Sequence, residues 1–211
     1  MINEGMEYEI AIARKASMQA GKILVKDKKE LNKTTFESDK DIKLEADISA
    51  EKLIKAILGK ESKFPVLAEE SGKSVDDLGS IFWVVDPLDG TANYSRGIPV
   101  CCVSIALMKD LEPVIGVIYD FNNNDLYEGS IYKPALLNGQ VLNVSNILKP
   151  SDGILVTGLP NNTDYSDEAI SRMIKDFQAW KKVRMIGSAA MASAYVASGK
   201  ADLYKEFGTY L

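Results

Sequence analysis

The N-terminal part of the chain has apolar residues at helical spacing. From Met6 to Lys26 they recur every three or four positions, which predicts a long amphipathic helix. The same pattern follows Asp47 and predicts a second amphipathic helix over residues 48–58. Residues 27–43, which lie between the two patterns, are polar and charged. We expect this segment to be an exposed loop.

The middle of the chain consists of short apolar runs bounded by turn residues, which are typical of strands. The predicted strands cover residues 65–68, 81–85, 100–108, 114–119 and 126–132. Asparagine and glycine residues at 122–124 and 138–139 predict hairpin turns between the later strands. This part is therefore expected to form a largely antiparallel meander.

The C-terminal part alternates between strand and helix patterns. Strands are predicted at 153–157, 183–186 and 201–207, and helices at 167–180 and 187–198. Helices thus come first, then a sheet, then alternating elements. This order favours an α+β or α/β fold class in which helices and sheets form layers of one unit.

The strand at 81–85 runs into a motif that could carry chemistry. Asp86 and Asp89 flank a proline turn, so their carboxylates converge. With the Leu88 carbonyl they offer oxygen ligands, which suit a hard cation such as magnesium. The amides of Gly90 and Thr91 could bind an anion beside it. A metal next to a phosphate site is what phosphoester hydrolysis requires. The alternative is a simple tight turn after a strand.

Two further acids precede this motif. Glu69 follows the short strand at 65–68, and both it and Asp86 lie at carboxyl ends of strands, where α/β sheets gather ligands. The alternative for Glu69 and its neighbour Glu70 is a solvated loop. Asp47 stands before the second helix, and its alternative role is a helix N-cap.

Composition excludes several classes of function. The 211 residues carry a net charge of −5 without a Lys/Arg-rich block, which argues against nucleic acid or an anionic membrane as partner. The absence of histidine removes histidine bases, histidine metal ligands and the Ser-His-Asp triad. The only cysteines, Cys101 and Cys102, are adjacent and resemble the buried thiols of a cytoplasmic protein. Neither a signal peptide nor a membrane span is expected.

Several segments resemble the inositol monophosphatase family. They are residues 67–72, 83–94, 97–99, 187–190 and 195–199, and the resemblance covers nearly the whole chain. Related phosphatases that act on adenosine bisphosphates usually carry Lys-Gly where this chain has Ala92 and Asn93. This difference favours the inositol or sugar phosphate branch.

The resemblance implies a layered αβαβα sandwich that forms a single domain over residues 1–211. It also implies a magnesium-dependent, lithium-sensitive phosphatase that hydrolyses a phosphomonoester, with inositol monophosphate as the expected substrate. The alternatives are a fructose-1,6-bisphosphatase or a dual sugar-phosphate phosphatase, and, from another class, a non-catalytic phosphate-binding relative. A cytoplasmic homodimer acting on a phosphorylated polyol or sugar is expected.

The resemblance also implies roles for individual residues. Glu69, Asp86 and the Leu88 carbonyl would hold a first magnesium ion, while Asp86 and Asp89 would hold a second. Glu69 therefore counts among the catalytic residues, since the first ion activates the attacking water.

The remaining implied roles concern water and substrate. Thr91, bonded to Asp47, would orient the attacking water, and the amides of Gly90 and Thr91 would hold phosphate oxygens. The expected contacts to the substrate ring are Gly187, Ser188, Ala189 and Glu206. The alternative for the segment at 187–190 is a tightly packed helix start.

One departure from the family concerns a Trp-Asp segment whose aspartate would bind the second metal. The sequence ends at Leu211, where that segment would come next, and the helix and strand that follow it are also absent. Either the given sequence is cut short or the protein lacks the segment. For the chain as given, we expect weak binding of the second metal.

Overall fold

A computed structural model describes residues 6–38, 42–160 and 163–206. The chain divides into two compact units, residues 1–141 and 142–211. The expectation that residues 1–211 form a single domain stays a prediction. Within the described ranges, every helix is too short or too polar to cross a membrane.

The first unit contains both predicted amphipathic helices. Its helices are α1 (Met6–Lys26), α2 (Lys28–Leu31), α3 (Glu45–Glu61) and α4 (Thr91–Arg96). Helices α1 and α3 pack against each other and against the central strands of a large sheet. Their buried apolar positions lie on one stripe of each helix, as the spacing predicts.

In the described residues of the first unit there are ten strands. They are β1 (Thr34–Glu37), β2 (Ile42–Leu44), β3 (Val66–Ala68), β4 (Gly72–Lys73), β5 (Ile81–Asp89), β6 (Cys102–Lys109), β7 (Glu112–Asp120), β8 (Asp125–Ser130), β9 (Lys133–Leu137) and β10 (Gln140–Val141). Strands β3 to β10 form an eight-stranded sheet of order β10-β9-β8-β7-β6-β5-β3-β4. Only β3 and β5 pair in parallel, so the predicted antiparallel meander is confirmed from β5 onward.

The core of the first unit lies between the helices and this sheet. Trp83 of β5 is fully buried, and its indole nitrogen donates to Ser62 Oγ at 3.0 Å. Tyr94 of α4 is also buried, and its hydroxyl donates to the carbonyl oxygen of Leu24 at 2.7 Å. Both large aromatic rings therefore have a partner for their polar atom, as buried Trp and Tyr require.

The prediction that residues 27–43 form a loop is wrong. The segment contains α2 and the strand β1, which pairs antiparallel with β2. All side chains of β1 are exposed, so the prediction of exposure holds. Because its side chains are exposed, β1 has no apolar periodicity from which a strand could be predicted. Residues 39–41 lie outside the described part of the chain.

The second unit is a small α/β arrangement. Its strands β11 (Ile154–Thr157), β12 (Lys182–Met185) and β13 (Leu203–Tyr204) form a parallel sheet of order β12-β11-β13. Its helices are a short 3₁₀ turn (Pro150–Asp152), α5 (Asp167–Gln178) and α6 (Ala189–Ala197). The predicted alternation is confirmed. The expected last strand at 201–207 is shorter, and residue 207 lies outside the described chain.

Candidate active site

The turn after β5 is held by its own side chains. The register between β5 and β6 shifts between Asp86 and Asp89, so the end of the strand bulges. Leu88 is buried, and its amide donates to Asp86 Oδ1 at 3.0 Å. The buried side chain fixes the residue, and its carbonyl oxygen then points toward Thr91. The sequence predicted this turn but not the bulge.

Gly90 connects the turn to α4, and no other residue suits its place. Its φ is +92°, and a Cβ there would lie 2.8 Å from the carbonyl oxygen of Val100. A side chain would therefore meet both strain and a backbone contact. The amides of Gly90 and Thr91 open α4, and their phosphate contacts stay a prediction.

Thr91 joins the turn to the start of α3. Its Oγ1 lies 2.8 Å from Asp47 Oδ1 and 3.0 Å from the Leu88 carbonyl oxygen. The single hydroxyl proton can be donated to one of these acceptors at a time. The predicted pairing of Thr91 with Asp47 is thus present in the structure, whereas its role in orienting water is still a prediction.

The N-cap interpretation of Asp47 is wrong in position. Helix α3 begins at Glu45, its N-cap is Leu44, and Asp47 is the third helical residue. Asp47 Oδ2 accepts the Leu44 amide at 2.8 Å, which is one half of a capping box because leucine has no side-chain acceptor. The cap and the contact with Thr91 use different oxygens, so the two roles are compatible.

The Asp47 carboxylate is almost completely buried. Burial raises the pKa of Asp47 to about 6, and the hydrogen bonds from Leu44 and Thr91 offset part of this effect. Asp47 is therefore ionised at neutral pH and still basic enough to take a proton.

Glu69 and Asp86 are brought together by the parallel pairing of β3 and β5. Ala68 pairs with Val85, and the Glu69 amide donates to the Val85 carbonyl oxygen at 3.1 Å. The two acids follow directly at the ends of these neighbouring strands, and the charge of Glu69 acts on Asp86.

The pKa values of both acids are raised. For Asp86, burial is the main cause, followed by the charges of Glu69 and Asp89, and its pKa lies well above the usual range. For Glu69, burial is again the main cause, and the Coulombic effect of Glu70 adds to it. A positive charge at this point would relieve both the repulsion and the burial cost.

Asp89 lies at the far side of the turn. Its Oδ2 is 3.9 Å from the Cys102 thiol, and its charge acts on Asp86. Within residues 6–38, 42–160 and 163–206, no three or more Asp, Glu, Cys or His side chains form a group able to hold a metal ion. The pair of Glu69 and Asp86 is thus assembled, whereas a complete ligand set with Asp89 is not.

The donors nevertheless fit magnesium in kind. Carboxylates and one backbone carbonyl are the oxygen ligands that this ion prefers. The carboxyl groups of Glu69 and Asp86 offer two of them at the ends of neighbouring strands. The ligand roles of Glu69, Asp86, Leu88 and Asp89 stay predictions.

The loop after β3 contains a network that sequence reasoning missed. The Glu70 amide donates to Glu51 Oε2, and the Glu70 carboxylate accepts a hydrogen bond from Lys43, both at 2.8 Å. The side chain of Glu70 is mostly buried, so a freely solvated loop does not describe this segment. The available signal was the position of Glu51, one helical turn after Asp47.

The other predicted substrate contacts lie in the second unit. Gly187 has a φ of +69°. Ser188 is the N-cap of α6, where its Oγ accepts the Met191 amide at 3.2 Å, and Ala189 is the first helical residue. The alternative of a packed helix start is therefore what the structure shows, and contact with substrate stays a prediction.

Glu206 follows β13. Its carboxylate accepts a hydrogen bond from the Tyr204 hydroxyl and lies so close to Gly158 that any Cβ there would collide with it. Its expected contact with a substrate stays a prediction.

Comparison with known proteins shows the family to which this chain belongs. Residues 6–211 match the model of the inositol monophosphatase family. The chain belongs to the inositol monophosphatase family. Its members are phosphatases that generally depend on magnesium, so membership supports phosphatase activity for this chain.

Two relatives illustrate the sequence similarity. The chain is 36% identical over 203 residues to Nus factor SuhB of Xylella fastidiosa, which covers 94% of this chain and 73% of that protein. It is 34% identical over 197 residues to the inositol-1-monophosphatase of Mesorhizobium japonicum, which covers 92% of this chain and 74% of that protein.

The solved structures agree on the fold. The extragenic suppressor protein SuhB of Bartonella henselae superposes with a TM-score of 0.84 at 33% identity, over 93% of this chain and 77% of that one. The predicted fold class is confirmed: it is the layered α+β fold of the inositol monophosphatase and fructose-1,6-bisphosphatase type.

Proposed function

We propose that this chain is a magnesium-dependent phosphatase that hydrolyses a phosphomonoester, with inositol monophosphate as its preferred substrate. One observation carries the proposal. The Thr91 hydroxyl lies within hydrogen-bond distance of the Asp47 carboxylate and of the Leu88 carbonyl oxygen. A hydroxyl between a base and a ligand oxygen has the position needed to orient a water molecule.

Four oxygen donors would hold the metal: Glu69, Asp86, Asp89 and the Leu88 carbonyl. The raised pKa values of Glu69 and Asp86 support this assignment, because a divalent cation would offset the burial and the negative charges that raise them. When bound, magnesium lowers the pKa of water and stabilises negative charge on the leaving oxygen.

The chain's own residues then orient the water and move its proton. Asp47 is ionised at neutral pH and accepts the Thr91 proton. The Thr91 oxygen is left with a lone pair that accepts a hydrogen bond from the attacking water. As the water attacks phosphorus, its proton passes to Thr91 and that of Thr91 passes to Asp47. The amides of Gly90 and Thr91 hold phosphate oxygens.

The substrate is proposed from the sequence and the relatives. Ala92 and Asn93 replace the Lys-Gly of phosphatases that act on adenosine bisphosphates. The relative from Mesorhizobium japonicum is named an inositol-1-monophosphatase. We therefore place inositol monophosphate first and fructose 1,6-bisphosphate second. The proposed contacts to the substrate ring are Gly187, Ser188, Ala189 and Glu206.

The experiment is a measurement of phosphate release by the purified chain. The substrates are inositol 1-phosphate, fructose 1,6-bisphosphate and adenosine 3′,5′-bisphosphate, each with magnesium and with a chelator. We expect release that requires magnesium, is fastest for inositol 1-phosphate and is inhibited by lithium. Absence of release from all three substrates at any magnesium concentration would contradict the proposal.

A second candidate function follows from the relatives named Nus factor SuhB, one of which is 36% identical to this chain. The alternative is a non-catalytic relative that binds a phosphorylated ligand without hydrolysing it. Calorimetry on the same three compounds distinguishes the two functions, because a binding protein takes up ligand and releases no phosphate.

The proposal includes a cytoplasmic homodimer. Sedimentation equilibrium of the purified chain tests the dimer, since a monomer at every concentration would exclude it. Fractionation of the source cells tests the location.

A further inference from the structure

Helix α3 carries a second buried acid besides Asp47. Glu51 lies one turn later on the same helix and is only 4% exposed. Its Oε2 accepts the amide of Glu70 at 2.8 Å, and its Oε1 is 3.9 Å from Lys55 Nζ. A hydrogen bond from an amide to a charged carboxylate is stronger than a neutral one. Glu51 thus connects α3 to the loop after β3.

This contact fixes the backbone on the second side of Glu69. On the first side, the Glu69 amide donates to the Val85 carbonyl oxygen of β5 at 3.1 Å. On the second side, the next amide along the chain is held by Glu51. The backbone that carries the Glu69 side chain is therefore tied to a strand and to a helix.

We propose that Glu51 is a positioning residue that holds the Glu69 carboxylate at the metal site through the Glu70 amide. The inference rests on the proposed function, in which Glu69 is a metal ligand. Because Asp47 and Glu51 are four residues apart, they share one face of α3. One turn of α3 thus makes two contacts. Asp47 accepts a hydrogen bond from Thr91, and Glu51 accepts one from the loop that carries Glu69.

The other contacts of this loop are weaker candidates for the same role. Lys43 bonds the Glu70 carboxylate, and Lys55 donates to Ser71 Oγ at 2.6 Å. The side chains of both lysines are about one third exposed. The lysine end of each contact is partly solvated, so water screens it more than the buried Glu51 carboxylate, and ordering the long side chain costs entropy. The buried Glu51 carboxylate is therefore the main anchor.

The first test is hydrogen exchange of single amides in the metal-free protein. In Glu51→Ala, the Glu70 amide loses its acceptor, so we expect it to exchange at least tenfold faster. In Glu51→Gln, the side-chain carbonyl still accepts, so exchange should be intermediate. The amides in the middle of α3 serve as the internal reference and should keep their protection. The matched control is Glu61→Ala at the end of the same helix, where Glu61 pairs with Lys15.

The second test is the affinity for magnesium, measured by calorimetry and by the magnesium dependence of phosphate release. Loss of a residue that orients a metal ligand typically costs 10- to 100-fold in metal affinity. We expect a loss of about tenfold or more in Glu51→Ala, a smaller loss in Glu51→Gln and none in Glu61→Ala. At saturating magnesium, the KM for substrate should match that of the unchanged chain.

Unchanged exchange of the Glu70 amide in Glu51→Ala, or unchanged magnesium affinity, would overturn the inference. If the alanine variant does not fold, Glu51→Met replaces it, since methionine keeps the side-chain length and removes the acceptor. The two proposals fail separately. If the unchanged chain binds no magnesium and releases no phosphate, the proposed function falls; if it does both and Glu51→Ala behaves identically, only the role of Glu51 falls.

Discussion

The candidate site has two halves, and they differ in how completely hydrogen bonds within the chain satisfy their polar groups. One half would orient water and the other would bind metal. Asp47 accepts hydrogen bonds from the Leu44 amide and the Thr91 hydroxyl, both at 2.8 Å, and the Leu88 carbonyl oxygen lies 3.0 Å from Thr91 Oγ1. Glu69 and Asp86 instead have raised pKa values, because burial and neighbouring negative charges disfavour their charged forms. The polar groups that would orient water thus have hydrogen-bond partners within the chain. The acids that would bind metal would instead be stabilised by a positive charge.

The difference has a cause in local structure. Asp47 is positioned by the first turn of α3 and by the Leu44 amide, and Thr91 by the turn after β5. Each of these two residues is positioned by contacts close to it in the sequence, although the hydrogen bond between them joins residues 44 positions apart. Glu69 and Asp86 are brought together by the pairing of two strands, and that pairing places two acids side by side whatever the cost in charge.

The largest expected effect comes from Asp86→Asn, which removes charge from the unsatisfied half. Magnesium-dependent phosphate release should fall more than about a hundredfold, because a proposed ligand shared by both metals is lost. The metal-free protein should be no less stable than the unchanged chain, since the removed group was buried and repelled its neighbours.

Activity assays and urea unfolding of the metal-free protein measure these two quantities. The matched control is Asp167→Asn, an exposed acid at the start of α5. Full activity of Asp86→Asn would show that Asp86 is not a metal ligand.

A smaller effect is expected in the satisfied half. Thr91→Ala and Asp47→Asn should each lower kcat by about 10² to 10⁴, the usual contribution of general acid–base groups, with little change in KM. The double variant should be no slower than the worse single one, because the two residues act as a unit.

Steady-state kinetics of the two single variants and the double variant measure this coupling. Ser95→Ala removes a hydroxyl from the same helix, α4, and serves as the control. If Asp47 acts only as a helix cap, Asp47→Asn will be mild and its effect will add to that of Thr91→Ala.

The smallest expected effect concerns stability against pH. The pKa of Asp47 is about 6 in the folded protein, above about 3.9 in an unfolded chain. Protonation of Asp47 therefore favours the folded state, and this contribution is present below about pH 4 and is lost as the pH rises through 6. Since one pKa unit corresponds to about 1.4 kcal/mol, the whole change is at most about 3 kcal/mol.

Urea unfolding between pH 4 and pH 7 in the presence of a chelator measures this term. The free energy of unfolding of the unchanged chain, relative to that of Asp47→Asn, should decrease as the pH rises. Curves that stay parallel over this range would show that Asp47 has an ordinary pKa in the folded protein.

In the first unit, the helices and long strands that the sequence predicted share one property, which is burial of an apolar face. Helix α1 and strand β5 bury regular apolar positions, so their periodicity was visible. Strand β1 has only exposed side chains, and its pairing with β2 depends on backbone hydrogen bonds that leave no pattern in the sequence. Helix α5 shows the converse, because its apolar spacing predicted the helix correctly although none of its residues is buried.

The same limit applies to the site. The acids and the turn at 86–91 were predicted because their residue types and spacing are unusual together. The contact of Glu51 with the Glu70 amide was not predicted, because an acid within a helix gives no sign that it binds a backbone amide 19 residues away. The predicted start of α3 was a few residues too late, since Leu44 is an uncommon N-cap. The capping hydrogen bond is donated by the Leu44 amide to the side chain of Asp47, three residues later.

The close contact at Gly90 has a consequence for motion. The turn after β5 lies against the backbone at Val100, whose carbonyl oxygen also accepts a hydrogen bond from Asn93. The segment from Asp86 to Thr91 is therefore held against the chain that leads into β6. Local opening of this turn requires separation from that chain, so we expect the turn to open together with the central sheet. This turn should then remain ordered until the sheet itself opens.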